Sequence, residues 1–247
     1  MTLPPADPIP PPVPDPAPPA SPAPAVFVAA HQDDELLSMG AAILQHVAAG
    51  REVLVLVIGR GNKSVVRTRD MPGLLGYIPS EEEFGAVRDW EFEHAVVGLG
   101  AAPIVPAYSV RLDERAFSAD DVAEVIAAYA PDGSDLKTHS RAGEYNPDHV
   151  AVHDAVARMY ALGWTAYEPR FYTTCTRLHL VESEGHRWRR EGLATPVTLE
   201  HQGPYRETDL DRRRWGIGYR SVPYAFDAQR ADPFAYRVLE TTIPFDL

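Results

Sequence analysis

The tightest constraint on the fold is a rhythm of short, unbroken apolar runs separated by helix-length amphipathic ones. Val26–Ala30 (VFVAA) and Val53–Ile58 (VLVLVI) show no polar alternation, which is how strands covered on both faces read. Between them, Glu35–Ala49 places Leu36, Met39, Ile43, Leu44 and Val47 on one stripe, and Gly50 stops the helix. Gly59–Pro79 then reads as a long loop, Glu81–Leu99 as a helix and Ile104–Pro106 as a short strand. A helix over Asp120–Tyr129, a strand over Asp135–His139 and a helix over Pro147–Leu162 follow. Strand–helix–strand order implies parallel pairing through right-handed crossovers. The expected fold is a Rossmann-like three-layer α/β/α sandwich with a mostly parallel sheet and a β-rich C-terminal portion over Glu168–Leu247.

The 247 residues suit one domain, read as 26–247, preceded by an arm over 1–25. Half of Thr2–Ala25 is proline, which supports neither ladder nor helix, so the arm reads as polyproline-type or disordered. It has no basic start and no continuous apolar stretch, unlike a secretory signal, and no run is long enough for a membrane span. Cys175 is the only cysteine, so no internal disulfide can form and the chain reads as cytoplasmic. A net charge of −12 argues against nucleic acid or anionic lipid as the main partner. It leaves a small-molecule or glycoconjugate substrate open, and nothing indicates the oligomeric state.

In open α/β sheets, ligands bind beyond the carboxyl ends of the strands. HQDDE (His31–Glu35) sits there, between the first strand and the first helix. One acid is explained as a helix cap. A cap does not account for a histidine with two adjacent acids, which repel unless a cation sits among them, so capping and metal binding both stay open on this stretch alone. A second cluster, Asn146-Pro147-Asp148-His149 with His153 one turn on, opens the last helix of the alternating region.

The pattern A-H-x-D-D-E after an apolar strand, with P-D-H-x-x-x-H more than a hundred residues further on, resembles the zinc-dependent N-acetylglucosaminyl deacetylases of the PIG-L/LmbE family. Ala86–Gly100 (AVRDWEFEHAVVGLG) is similar to that family's R-x-x-E…A-x-x-x-L-G helix, so the resemblance spans roughly Val26–Leu162. It implies Zn2+ on His31, Asp34 and His149, with one position left for water; the same donor set suits Fe2+ or another divalent metal. It implies Asp33 as general base, taking the proton as zinc-activated water attacks an amide carbonyl. Glu35 then begins the helix or supports the site, and Asp148 orients an active-site group or caps its helix. Arg88 holds substrate hydroxyls, or else forms a surface ion pair with Glu91 or Glu83. His153 stands behind the site or on the surface rather than as a fourth ligand. The implied reaction removes an acetyl group from an N-acetylated amino sugar or sugar conjugate. The alternatives are an amidase on a non-sugar amide, or a silent member that binds metal and glycan.

Two positions depart from the family pattern. Gln32 stands where proline is usual, which implies altered loop stiffness. Asn146 stands where the family has a histidine that assists the tetrahedral intermediate; asparagine donates a hydrogen bond to an oxyanion but transfers no proton. His139 is a candidate compensating acid or simply a strand-end histidine. Lys63, Arg67 and Arg69 either frame the pocket mouth or are solvated, and Trp215, Tyr219 and Tyr224 either stack on sugar or fill a core.

Overall fold

A computed structural model describes residues 23–239. Strand β1 (Ala25–Ala29), helix α1 (Asp34–Ala48) and strand β2 (Val53–Val57) open the fold as the apolar pattern requires. β1 and β2 pair in parallel, Ala25 opposite Val53 through Ala29 opposite Val57. Alternation along these strands feeds two cores. Ala25, Phe27, Ala29, Val53, Val55 and Val57 face α1, while Val26, Val28, Leu56 and Ile58 face the opposite layer. Leu36, Met39 and Ile43 of α1 are fully buried against the first set. Burial of each such side chain stabilises by about 1.5–3 kcal/mol.

The loop expected over 59–79 contains two short helices, α2 (Val66–Arg69) and α3 (Met71–Leu75). Helix α4 (Glu81–Gly98) follows; Ser80 accepts the Glu83 N–H at 3.0 Å, and three acids occupy the positive end of the helix dipole. Strand β3 (Ala102–Ile104), helix α5 (Ala119–Tyr129), strand β4 (Asp135–His139) and helix α6 (Pro147–Ala161) complete the alternating region. Apolar faces of α5 and α6, including Val122, Ile126, Val152 and Val156, close the second core.

The remainder adds strands β5 (Arg170–Thr173), β6 (Arg187–Glu191) and β9 (Ala235–Leu239) to the sheet. A two-stranded ribbon, β7 (Thr208–Asp209) with β8 (Arg214–Trp215), stands apart from it. Helices α7 (Leu178–Ser183), α8 (Leu199–Arg206), α9 (Ile217–Ser221) and α10 (Pro223–Ala231) lie between these strands, an arrangement the sequence did not order. The seven-stranded sheet runs β3-β2-β1-β4-β5-β9-β6, with β5–β9 and β9–β6 antiparallel and the rest parallel.

The chain moves outward from β1 to β2 and β3, then crosses back to β4 on the other side of β1. That reversal opens a crevice at the carboxyl ends of β1 and β4. Folded backbone reaches back beyond position 25: the Pro24 carbonyl accepts the Asp135 N–H at 3.0 Å, and the Ala23 carbonyl accepts from Arg51. The rest of the proline arm, 1–22, and residues 240–247 lie outside the described residues. Among the described helices none is long and apolar enough to cross a membrane.

Candidate active site

β1 delivers the chain to this crevice, and the turn after it must bring three acids under the start of α1. Asp33 occupies φ 122°, ψ −25°, a backbone conformation that costs a non-glycine residue on the order of 1–3 kcal/mol. Buried contacts hold it there. Glu35 accepts the Asp33 N–H at 3.1 Å and the Tyr205 hydroxyl at 2.6 Å. Arg88, from α4, donates to Asp33 Oδ2 at 3.0 Å and to the Gln32 carbonyl. Gln32 is itself fully buried, and its side-chain amide donates to Asp89 Oδ1 at 2.9 Å, so it pins the turn to α4. Arg88 is therefore a buried partner of Asp33, not a surface pair with Glu91 or Glu83.

Across the crevice, Asn146 caps α6 by accepting the Asp148 N–H on Oδ1 at 3.0 Å, and Pro147 takes the first helical position. Asp148 and His149 in that first turn then face the turn after β1. His31 Nδ1 lies 3.3 Å from Asp34 Oδ2 and 3.2 Å from His149 Nε2, and the last two atoms are 3.2 Å apart. Donors about 2.0–2.1 Å from a tetrahedral ion stand about 3.3 Å from one another, so this triangle fits such an ion. Among the described residues it is the group of three metal-type donors whose atoms converge.

The imidazole nitrogens pointing away from the triangle are also occupied. His31 Nε2 is 3.0 Å from Asp148 Oδ2, and His149 Nδ1 is 2.8 Å from Glu144 Oε2. Burial opposes charge on His31, yet Asp148 and Asp34 outweigh it and raise its pKa to about 10. Burial likewise opposes charge on His149, and Asp34 with Glu144 raises it to about 9. Asp34 is held well below the usual carboxylate range, its burial outweighed by His149 and His139. Burial, reinforced by the charge of Asp34, raises Asp33 to about 7 against the opposing Arg88. Burial raises Glu35 to about 8, against the hydrogen bond from Tyr205.

His139 stacks on the His149 ring with centroids 4.2 Å apart. Burial and the neighbouring His149 lower its pKa to about 3, which favours the neutral ring. His153 is buried behind it, its Nδ1 3.2 Å from the His139 carbonyl oxygen, away from the ligand position.

The site opens into a cavity of about 480 Å³ whose walls include Asp33, Arg88, Asn146 and the metal-type donors. Lys63 lines it while paired to Glu81; Arg67 and Arg69 point instead to Glu81 and Asp70. Of the C-terminal aromatics, Trp215 is core and Tyr219 packs on Phe226, whereas Tyr224 is exposed on the cavity wall. Glu144, Glu114 and Arg177 line the cavity without having been singled out in the sequence. Glu144 had one available signal, its place in the same EYNPDH stretch.

A family model described as PIG-L: GlcNAc-PI de-N-acetylase matches residues 26–160. A 1D-myo-inositol 2-acetamido-2-deoxy-alpha-D-glucopyranoside deacetylase of Mycolicibacterium gilvum (strain PYR-GCK) is 30% identical over 173 residues, covering 61% of this chain and 58% of that protein. The chain spans about half the length of the curated relatives it matches. Among solved structures, the zinc-inhibited form of teicoplanin deacetylase Orf2 superposes with a TM-score of 0.53 at 17% identity, over 88% of this chain and 98% of that one. GalB, the 4-carboxy-2-hydroxymuconate hydratase of Pseudomonas putida KT2440, superposes with a TM-score of 0.50 at 17% identity, over 91% and 99%. At such identities these structures establish the fold alone.

Proposed function

The chain belongs to the PIG-L family of GlcNAc-PI de-N-acetylases, and on that premise we propose that it removes an acetyl group from an N-acetylated amino sugar or sugar conjugate. The observation that carries this reading is the convergence of His31, Asp34 and His149 beside the buried carboxylate of Asp33. Two imidazoles and one carboxylate suit Zn2+ with a position left open, and ferrous iron would accept the same set. Bound there, a divalent cation would supply a water acidified to a pKa of about 7 and a Lewis acid for the amide carbonyl.

The chain's own residues divide the remaining work. Arg88 occupies Asp33 Oδ2, which leaves Oδ1 to accept the proton of the attacking water and pass it to the leaving amine. Arg88 also lines the cavity, which places its guanidinium to hold a substrate hydroxyl. Because Asn146 must place Oδ1 on its helix cap, its Nδ2 is the group available to donate to an oxyanion. Asp148 holds the proton of His31 Nε2, which turns Nδ1 toward the metal position.

The test is acetate release from a panel of N-acetylglucosaminides, with and without chelator. Asp33→Asn is expected to lower kcat by about 10²–10⁴ while zinc affinity stays within a few-fold. Glycan binding with no chelator-sensitive acetate release would identify a silent member instead.

A further inference from the structure

Glu144 is nearly buried, its side chain 6% exposed, and every hydrogen that reaches it comes from a donor. Oε1 accepts the backbone N–H groups of Tyr145 at 2.8 Å and Asn146 at 2.7 Å, together with Nη1 of Arg177. Oε2 faces His149 Nδ1 at 2.8 Å. Arg177 reaches the loop from the turn Cys175–Arg177 in the C-terminal third, and also donates to the Gly143 carbonyl at 3.3 Å. Four donors around one carboxyl group require a group that only accepts.

We propose that Glu144 is the positioning residue that sets the tautomer of His149, with Arg177 holding Glu144 in place. This rests on the metal reading given above. With a cation bound, His149 would keep its proton on Nδ1 and give it to Glu144, leaving the Nε2 lone pair for the ion beside Asp34 and His31. The same carboxylate fixes the backbone of Asn146, so one side chain aligns a metal ligand and the residue offered to the oxyanion. The C-terminal third, which carries none of the three metal-type donors, thereby completes their orientation.

Glu144→Gln separates this role from simple packing, because it keeps the shape and replaces one acceptor with a donor. With its oxygen toward the two N–H groups and Arg177, its NH2 meets His149 Nδ1. Nδ1 must then accept, and the ring proton moves to Nε2, the atom that has to bind metal. Glu184 braces the same loop by accepting the Gly143 N–H at 3.0 Å, a bond glutamine can keep, so Glu184→Gln reports the cost of removing a carboxylate charge from this loop alone.

The experiment measures Zn2+ affinity of the full chain by chelator competition. Glu144→Gln is expected to weaken binding by about 10–100-fold and Glu184→Gln by less than about threefold. Should Glu144→Gln fail to fold, the long-range 1H–15N spectrum of the zinc-loaded wild-type chain decides the matter: the His149 proton is expected on Nδ1. An unchanged constant in folded Glu144→Gln, equal weakening in both variants, or a His149 proton on Nε2 overturns the proposal. Absence of Zn2+ binding by the wild-type chain would instead overturn the metal reading beneath it.

Discussion

At the scale of single residues, the three consecutive acids have three separate environments. Asp34 faces two imidazoles, Asp33 faces Arg88, and Glu35 turns into the protein to hold the Asp33 N–H and the Tyr205 hydroxyl. Such differences allow neighbouring carboxyl groups to do different work. They also set a pH dependence. Without metal, His31 and His149 carry protons up to about pH 10 and 9, and a cation must displace one from each. Zinc affinity is therefore expected to fall as pH falls from 9 toward 6, by about tenfold per pH unit for each proton displaced. Titration calorimetry in buffers of different ionisation enthalpy checks both the slope and the proton count; a flat profile would contradict the geometry. The meeting of His31, Asp34 and His149 was expected from two motifs that resemble the family's, each placed between a strand end and a helix start. Tyr205 and Arg177 were not legible, since only tertiary folding brings them to residues 35 and 144.

At the scale of elements, α1, α4, α5 and α6 were legible to within a residue or two because each is long enough for its apolar spacing to show a helical period. Helices α2 and α3, of four and five residues, are shorter than the spacing needed to show a period. In the C-terminal third, α8 contains Pro204 yet forms, because it lies against α4 and α9 while buried Tyr205 bonds Glu35 of α1 and Gln202 bonds Phe226 and Gln229 of α10. Local propensity is overridden there by tertiary contact. The junction of β6 with α1 is similarly tight. Gly192 adopts φ +77°, and a Cβ there would sit 2.6 Å from the Ala41 carbonyl oxygen. Gly192→Ala is expected to destabilise the fold by at least about 1–2 kcal/mol, read as a lower urea midpoint with unchanged m.

At the scale of the whole molecule, the sheet order creates the crevice and the chemistry comes from the side chains that line it. A hydratase and a deacetylase share this fold at comparable TM-scores, so architecture alone does not select the reaction. Selectivity is expected from the part of the chain that the family match does not cover. Thr173, Thr176 and Tyr224 wall the cavity from that side, and Tyr224 is 64% exposed. Tyr224→Ala is expected to raise KM for a glycoside about 2–10-fold with little change in kcat, the loss of one stacking contact; a kcat loss without a KM change would place Tyr224 in the chemistry instead.

The account turns on one ion between the segments that begin at His31 and at Asn146. Anomalous scattering at the zinc edge from crystals of the zinc-loaded protein tests this directly. A single peak about 2.0–2.2 Å from His31 Nδ1, Asp34 Oδ2 and His149 Nε2 is the expected result. Zinc found only elsewhere, or none bound at saturating concentration, would contradict it.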